Sequence, residues 1–162
     1  MKKGIYIIAF TFYFLTHFGC GSESSSNLSP DDHQSLVNTA HLDALYEEII
    51  VDQDTMGIIH IYSEYPDYSW VDDDDEGTAC VDDAARAAIF YLKHYQYTHK
   101  HTSLSKAKRL LRFVLHMQAE NGLFYNFIWG DHSQNKTFKT SVARPDWWTW
   151  RAMWALSEGF IV

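Results

Sequence analysis

The stretch "VDDAARAAIFYLKHYQY", Val81–Tyr97, decides how the rest of the chain is read. On a 3.6-residue period, one face carries Val81, Ala84, Ala85, Ala88, Ile89, Leu92 and Tyr95. The opposite face carries Ala87, Phe90, Tyr91 and Tyr97 and is scarcely more polar. A helix that is apolar nearly all round is buried on both sides, and its alanines let neighbouring helices come close. Such a helix needs packing partners on two sides.

Downstream lies a helix of a different kind. Ala107, Leu110, Leu111, Val114, Leu115 and Gln118 form a single stripe, with Lys106, Lys108, Arg109, Arg112 and Glu120 on a wet face. Ser103 or Ser105 is the expected N-cap and Asn121-Gly122 the expected stop. Leu123–Trp129 reads as extended, Gly130-Asp131 as a turn, and Trp147–Gly159 as a helix again. That last helix carries alanine and aromatic residues on more than one face, with Gly159 as terminator.

Upstream, "HQSLVNTAHLDALYEEII" (His33–Ile50) repeats Leu36, Val37, Ala40, Ala44, Leu45 and Ile49 at three and four, predicting an amphipathic helix. Asp54–Trp70, rich in isoleucine and tyrosine and broken by Pro66, predicts short extended structure. The order of buried helix, exposed helix, extended hairpin and buried helix predicts an all-α fold. Its pattern is that of the inner and outer helix hairpins of a partial, double-layered α/α toroid, with a short β-hairpin insertion. A three- or four-helix bundle that buries the same faces by oligomerising is the alternative.

The first residues read as an address rather than as domain. Lys2 and Lys3 precede an apolar run from Gly4 to Phe18, then Gly19-Cys20. This predicts a signal peptide over residues 1–20, of the lipoprotein type, with Cys20 as the lipid acceptor. The run is too short for a membrane span. Residues 21–32, "GSESSSNLSPDD", read as a flexible tether, and residues 33–162 as the toroid domain, incomplete at its C-terminus. The expected location is the bacterial cell envelope, with the membrane engaged through the lipid on Cys20, or the periplasm or medium. A net charge of −8 excludes a basic nucleic-acid footprint. Only Cys80 remains once Cys20 is assigned, so no disulfide framework is expected. The histidines are scattered without a ligand spacing, and no metal is assigned to them.

Three segments together resemble a known family: "EGTACVDDAARAAIFYL" (Glu76–Leu92), "AKRLLRFVLHMQAENGLFYNFI" (Ala107–Ile128) and "WWTWRAMWALSEG" (Trp147–Gly159). They are similar to the N-terminal portion of bacterial six-hairpin glycosidase-like proteins. The resemblance implies an (α/α)6 barrel, with carbohydrate bound where the inner helices begin. It also implies that this chain is a truncated member or a fragment of a split gene. An oligo- or polysaccharide is then the expected ligand, and a missing C-terminal fragment an expected partner.

Candidate site residues follow from charge and aromaticity. Asp72–Asp75 is a like-charged run that favours solvent, with a calcium site as a minor reading. Asp82 and Asp83 fall in the first turn of the Val81 helix, where its dipole favours anions, and Arg86 lies on the same face. Two readings stand side by side: an ion network with Arg86, or a sugar cavity in which Glu76, Asp82 or Asp83 acts as general acid, general base or hydroxyl binder. Trp129, Trp147 and Trp148, with Arg86 and Arg144, are the expected substrate-binding residues, since rings stack on sugars. Trp150 and Trp154, at helical spacing, are expected in the core. Cys80 reads as a small buried residue.

The expected function is an exported carbohydrate-active protein that cleaves glycosides with paired carboxylates if complete. The alternative is a non-catalytic remnant acting as a sugar-binding or interaction lipoprotein. A polysaccharide lyase and a terpene-cyclase-like toroid rank lower, the latter because any four-aspartate run satisfies its acid motif.

Overall fold

The computed structural model describes Val37–Val162; the expected signal, the Cys20 acceptor and the tether lie outside the described residues. The elements are α1 (Ala40–Ala44), β1 (Tyr46–Val51), β2 (Asp54–Ile59), β3 (Tyr62–Glu64), β4 (Ser69–Val71), β5 (Ala79–Cys80), α2 (Val81–Thr98), α3 (His101–His116), β6 (Phe127–Ile128) and α4 (Trp147–Phe160). The strands pair as three two-stranded antiparallel sheets, β1 with β2, β3 with β4 and β5 with β6.

This is a mixed α/β architecture, and the all-α partial toroid is overturned. The decisive departure lies at Tyr46–Ile59. Ile49, Ile50 and Val51 are β-branched, and they lead into a two-residue turn at Asp52-Gln53 with φ of 49° and 73°. Both residues are left-handed, as the hairpin turn that matches strand twist requires. The three-and-four repeat that predicted a helix survives only as the five-residue α1. Within β1 burial alternates over Glu48, Ile49 and Ile50, which is the strand period. Gly57 sits where a Cβ would come within 2.7 Å of the Tyr46 ring, so a larger residue there would have to displace that ring.

α2 forms as expected and is buried on two sides, but its partners differ from those of a toroid. It packs against α3 and α4, and β2 lies against α3 and α2. Ile58 of β2, Phe113 and Leu110 of α3, and Trp148, Ala152 and Ala155 of α4 are all fully buried, together with Ala84, Ala85 and Ala88 of α2. A hairpin layer therefore fills the side that a further ring of helices was expected to fill. No helix among the described residues is long and apolar enough to cross a membrane.

Helix ends depart from expectation in detail. α2 stops at His99, left-handed at φ 57°, whose N–H donates to the Tyr95 carbonyl at 2.7 Å. α3 starts at His101 rather than at the serines, and Ser103 is instead buried with its hydroxyl 2.8 Å from His94 Nδ1. α3 ends at His116, and Asn121-Gly122 turns the chain afterwards, with Gly122 at φ 80°. α4 runs through Gly159 to Phe160. Only one of its faces is buried: Trp150 and Trp154, expected in the core, are 54% and 53% exposed.

Asp43 links the short α1 to both neighbouring helices. Its Oδ1 accepts from the Tyr91 hydroxyl at 2.5 Å and from Lys106 Nζ at 2.6 Å, and its Oδ2 from the Thr39 hydroxyl at 2.8 Å. Burial pushes the Asp43 carboxyl up, but the donors Lys106, Tyr91 and Thr39 outweigh it and hold it below its ordinary value. A carboxyl depressed on folding stabilises fully above its unfolded value of ~4 and loses that contribution as pH falls through the lower folded value. Melting temperature measured from pH 6 downward is therefore expected to fall more steeply below about pH 4 in the wild type than in Asp43→Asn. In the core, Phe113→Ala is expected to cost about 3–5 kcal/mol in urea denaturation.

Candidate functional site

The sequence Glu76-Gly-Thr-Ala-Cys80 brings the chain into α2 under tight constraint. Gly77 is at φ 92°, and a Cβ on it would lie 2.1 Å from the Ile128 carbonyl oxygen, so only glycine fits. Ahead of it, Asp73 folds the aspartate run on itself: its Oδ1 accepts from the N–H groups of Asp75 and Glu76, both at 2.9 Å. Among the described residues, no group of three or more His, Cys, Asp or Glu side chains converges as a metal ion needs.

At the start of α2, Cys80 is the N-cap, its sulfur accepting from the Asp83 N–H at 3.4 Å. Asn126 completes the cap: its carbonyl accepts from Val81 N–H at 2.7 Å and its side-chain oxygen from Asp82 N–H at 3.2 Å. Asp82 and Asp83 then meet three guanidinium contacts. Arg86 donates to Asp82 Oδ2 at 3.1 Å and to Asp83 Oδ1, and Arg151 from α4 donates to Asp82 Oδ1. Asp82 is the most enclosed of the four, with 13% of its side chain exposed. Both of its oxygens are committed to arginines. The ion-network reading of this cluster is what the geometry contains, extended by Arg151.

Beside that network opens a cleft of about 400 Å3. Asp83, Arg86, Ala87 and Phe90 line one wall, a spacing of three, four and seven that places them on one helix face. Leu42 and Leu45 line a second wall, and Ile59, His60 and Ile61 a third. The cleft thus has an apolar floor and a charged edge formed by one carboxylate and one guanidinium.

His60 is held from three directions and is only 6% exposed. Its Nε2 lies 2.8 Å from Glu47 Oε2, its Nδ1 lies 3.1 Å from the Thr78 hydroxyl, and Trp70 stacks on its face with centroids 3.9 Å apart. A carboxylate only accepts, so Nε2 carries the proton, and in the neutral ring Nδ1 accepts from Thr78. Trp70 is itself anchored by its N–H on the Ala44 carbonyl at 2.9 Å. No residue pattern singled out Glu47, His60, Thr78 or Trp70. The available signal was a lone histidine inside the apolar run Ile58-Ile59-His60-Ile61.

The other expected site residues lie apart from the cleft lining. Glu76 accepts from the Tyr62 hydroxyl at 2.8 Å. Trp129 is half-buried, and its backbone lies against Gly77. Arg144 pairs with Asp146 at 2.8 Å and lies over the Trp148 ring, 5.3 Å from its centroid. Trp148 has no exposed surface, and its indole N–H donates to the Phe124 carbonyl at 2.8 Å. Trp147, 46% exposed, meets Trp148 edge-on at 4.9 Å. Cys80 is buried as expected, and burial first, then the charge of Asp83, pushes its thiol up.

The Glu76–Tyr62 contact has a direct reporter. The hydrogen bond to Glu76, followed by burial and the Glu76 charge, pushes the Tyr62 phenol up to about 12. In Glu76→Gln, spectrophotometric titration is expected to show one of the ten tyrosines moving back toward an ordinary value of ~10. An unchanged titration curve would show that Glu76 does not hold this phenol. No family model matches the chain and no curated protein matches it, which leaves the chemistry of the cleft as the basis for a functional reading.

Proposed function

We propose that the cleft beside α2 binds a neutral oligo- or polysaccharide, and that the chain acts as a sugar-binding protein of the cell envelope. The observation that carries this reading is the pairing of an apolar floor, Leu42, Ile59, Ile61, Ala87 and Phe90, with the Asp83–Arg86 edge. A sugar ring presents an apolar face and a rim of hydroxyls, which match a floor of that kind and a paired acceptor and donor. Asp82, Asp83, Arg86 and Arg151 balance two negative charges with two positive ones, so the edge favours a polar neutral ligand over an ion. The overall charge of −8 disfavours anions further. The resemblance read in Glu76–Leu92, Ala107–Ile128 and Trp147–Gly159 to six-hairpin glycosidase-like proteins implies the same ligand class. Envelope localisation and the lipid on Cys20 rest on the leader-like sequence of residues 1–20.

Binding is favoured over hydrolysis on a count of available carboxyls. Cleavage of a glycoside needs two carboxyl groups flanking the bond. Of the acids expected to serve, Asp83 alone lines the cleft; both oxygens of Asp82 are engaged by arginines, and Glu76 holds Tyr62. His60 has both ring nitrogens engaged.

Calorimetric titration with a panel of neutral oligosaccharides is the test. Binding is expected for at least one of them, and Arg86→Ala is expected to weaken it about tenfold or more, as loss of a charge-assisted hydrogen bond does. Phe90→Ala, which removes the floor without touching the ion network, should weaken it as well. Absence of binding at millimolar sugar, or binding indifferent to both substitutions, would remove this reading. Release of reducing ends by the wild-type chain would replace it with hydrolysis.

A further inference from the structure

α4 buries one face and leaves the opposite one open. Trp147, Trp150 and Trp154 follow one another at three and four residues, and Ser157 and Ile161 continue the same spacing. The tryptophans are 46%, 54% and 53% exposed, Met153 is 51% exposed, and Phe160 and Ile161 are 93% and 77% exposed. A stripe repeating at three and four is the seam of a helix that packs lengthwise on another helix. At ~150–250 Å2 per aromatic side chain, these residues expose on the order of 700 Å2. That exceeds the ~300–600 Å2 patch usual on a monomer and approaches the ~800 Å2 each partner contributes to a standard interface.

We propose that this face pairs two copies of the chain, α4 against α4, antiparallel about a two-fold axis near Trp154. The charges beside the stripe select this arrangement. Arg151 and Glu158 flank the seam on the same side, two helical turns apart, and their side chains keep 38% and 25% exposure while pairing with Asp82 and Lys93 within their own chain. An antiparallel partner centred between them brings each Arg151 opposite the Glu158 of the second copy, twice by symmetry. A parallel partner puts the two copies of Arg151 and of Glu158 on opposite edges of the seam, where they face Met153 and Phe160 and gain no opposite charge. The stripe also lies along a convex helix rather than in a concavity, which suits a second helix better than a small ligand.

Sedimentation equilibrium on the full chain is expected to give a dimer at micromolar concentration. Trp150→Glu is expected to weaken association at least a hundredfold, with circular dichroism and melting curve preserved because Trp150 is not a core residue. In a Cys20→Ser background, Trp154→Cys is expected to form a disulfide-linked dimer under mild oxidation, and Trp147→Cys is not, because antiparallel copies place it far from its counterpart. A monomer at ~100 μM, above the micromolar upper end for interfaces of this area, a dimer that survives Trp150→Glu, or preferential cross-linking at Trp147→Cys would each overturn the proposal. A monomer whose tryptophan fluorescence responds to added oligosaccharide in the wild type and in Phe90→Ala but not in Trp150→Glu would overturn it too, and would assign the stripe to sugar.

Discussion

Asp82 stands where two helices and the cleft meet, and the described domain depends on how its charge is neutralised. Its carboxylate is largely withdrawn from water, a position that is tolerable only with partners on both oxygens. Arg86 supplies one from the next turn of α2, and Arg151 supplies the other from α4, across the packed Ala-rich interface. The small side chains of Ala84, Ala85, Ala88, Ala152 and Ala155 let the helix axes come close, and that proximity lets Arg151 reach Asp82. Because Arg86 is shared with Asp83, the same network fixes the polar edge of the cleft. Helix packing and the polar edge of the cleft thus draw on one cluster of charges, in which removing either arginine leaves the enclosed Asp82 carboxylate short of a partner.

A second layer of dependence runs through the backbone ahead of α2. Asn126 holds the first two N–H groups of the helix, and Gly77 lets the preceding loop touch the Ile128 carbonyl. These contacts come from a segment more than forty residues away in sequence. The helix start is therefore positioned by tertiary contacts as much as by its own Cys80 cap.

What the residues disclosed in advance follows from how local the governing interactions are. α2 was legible because apolar residues at helical spacing cover most of its surface over eighteen residues, leaving Asp82, Arg86 and Lys93 as a narrow polar stripe. Tyr46–Ile59 was not, because Leu45 and Ile49 satisfy a helical spacing while Ile49-Ile50-Val51 satisfies a strand, and only pairing with Asp54–Met56 decides between them. The tryptophans of α4 were misassigned for a related reason. Trp148, Trp150 and Trp154 are chemically alike, and which of them is core depends on where α2 and Phe124 lie. The Asp82–Asp83–Arg86 ion cluster was visible from helical spacing alone, whereas Arg151, sixty-nine residues from Asp82, belongs to the fold and not to any local pattern. The lining of the cleft from α1 and the β2–β3 junction was hidden for the same reason.

Cys80 carries a consequence of a different kind. Thiol–disulfide exchange requires a thiolate that a second sulfur can reach. The Cys80 sulfur is enclosed, its burial opposes thiolate formation, and it already serves the backbone of Asp83 as a helix cap. A reduced cysteine in this position is redox-silent: in an oxidising compartment it would neither scramble with other thiols nor cross-link chains as long as α2 stays folded. Its exposure to a thiol reagent would then count openings of the first turn of α2, making this one atom an internal clock for the part of the molecule on which the cleft is built.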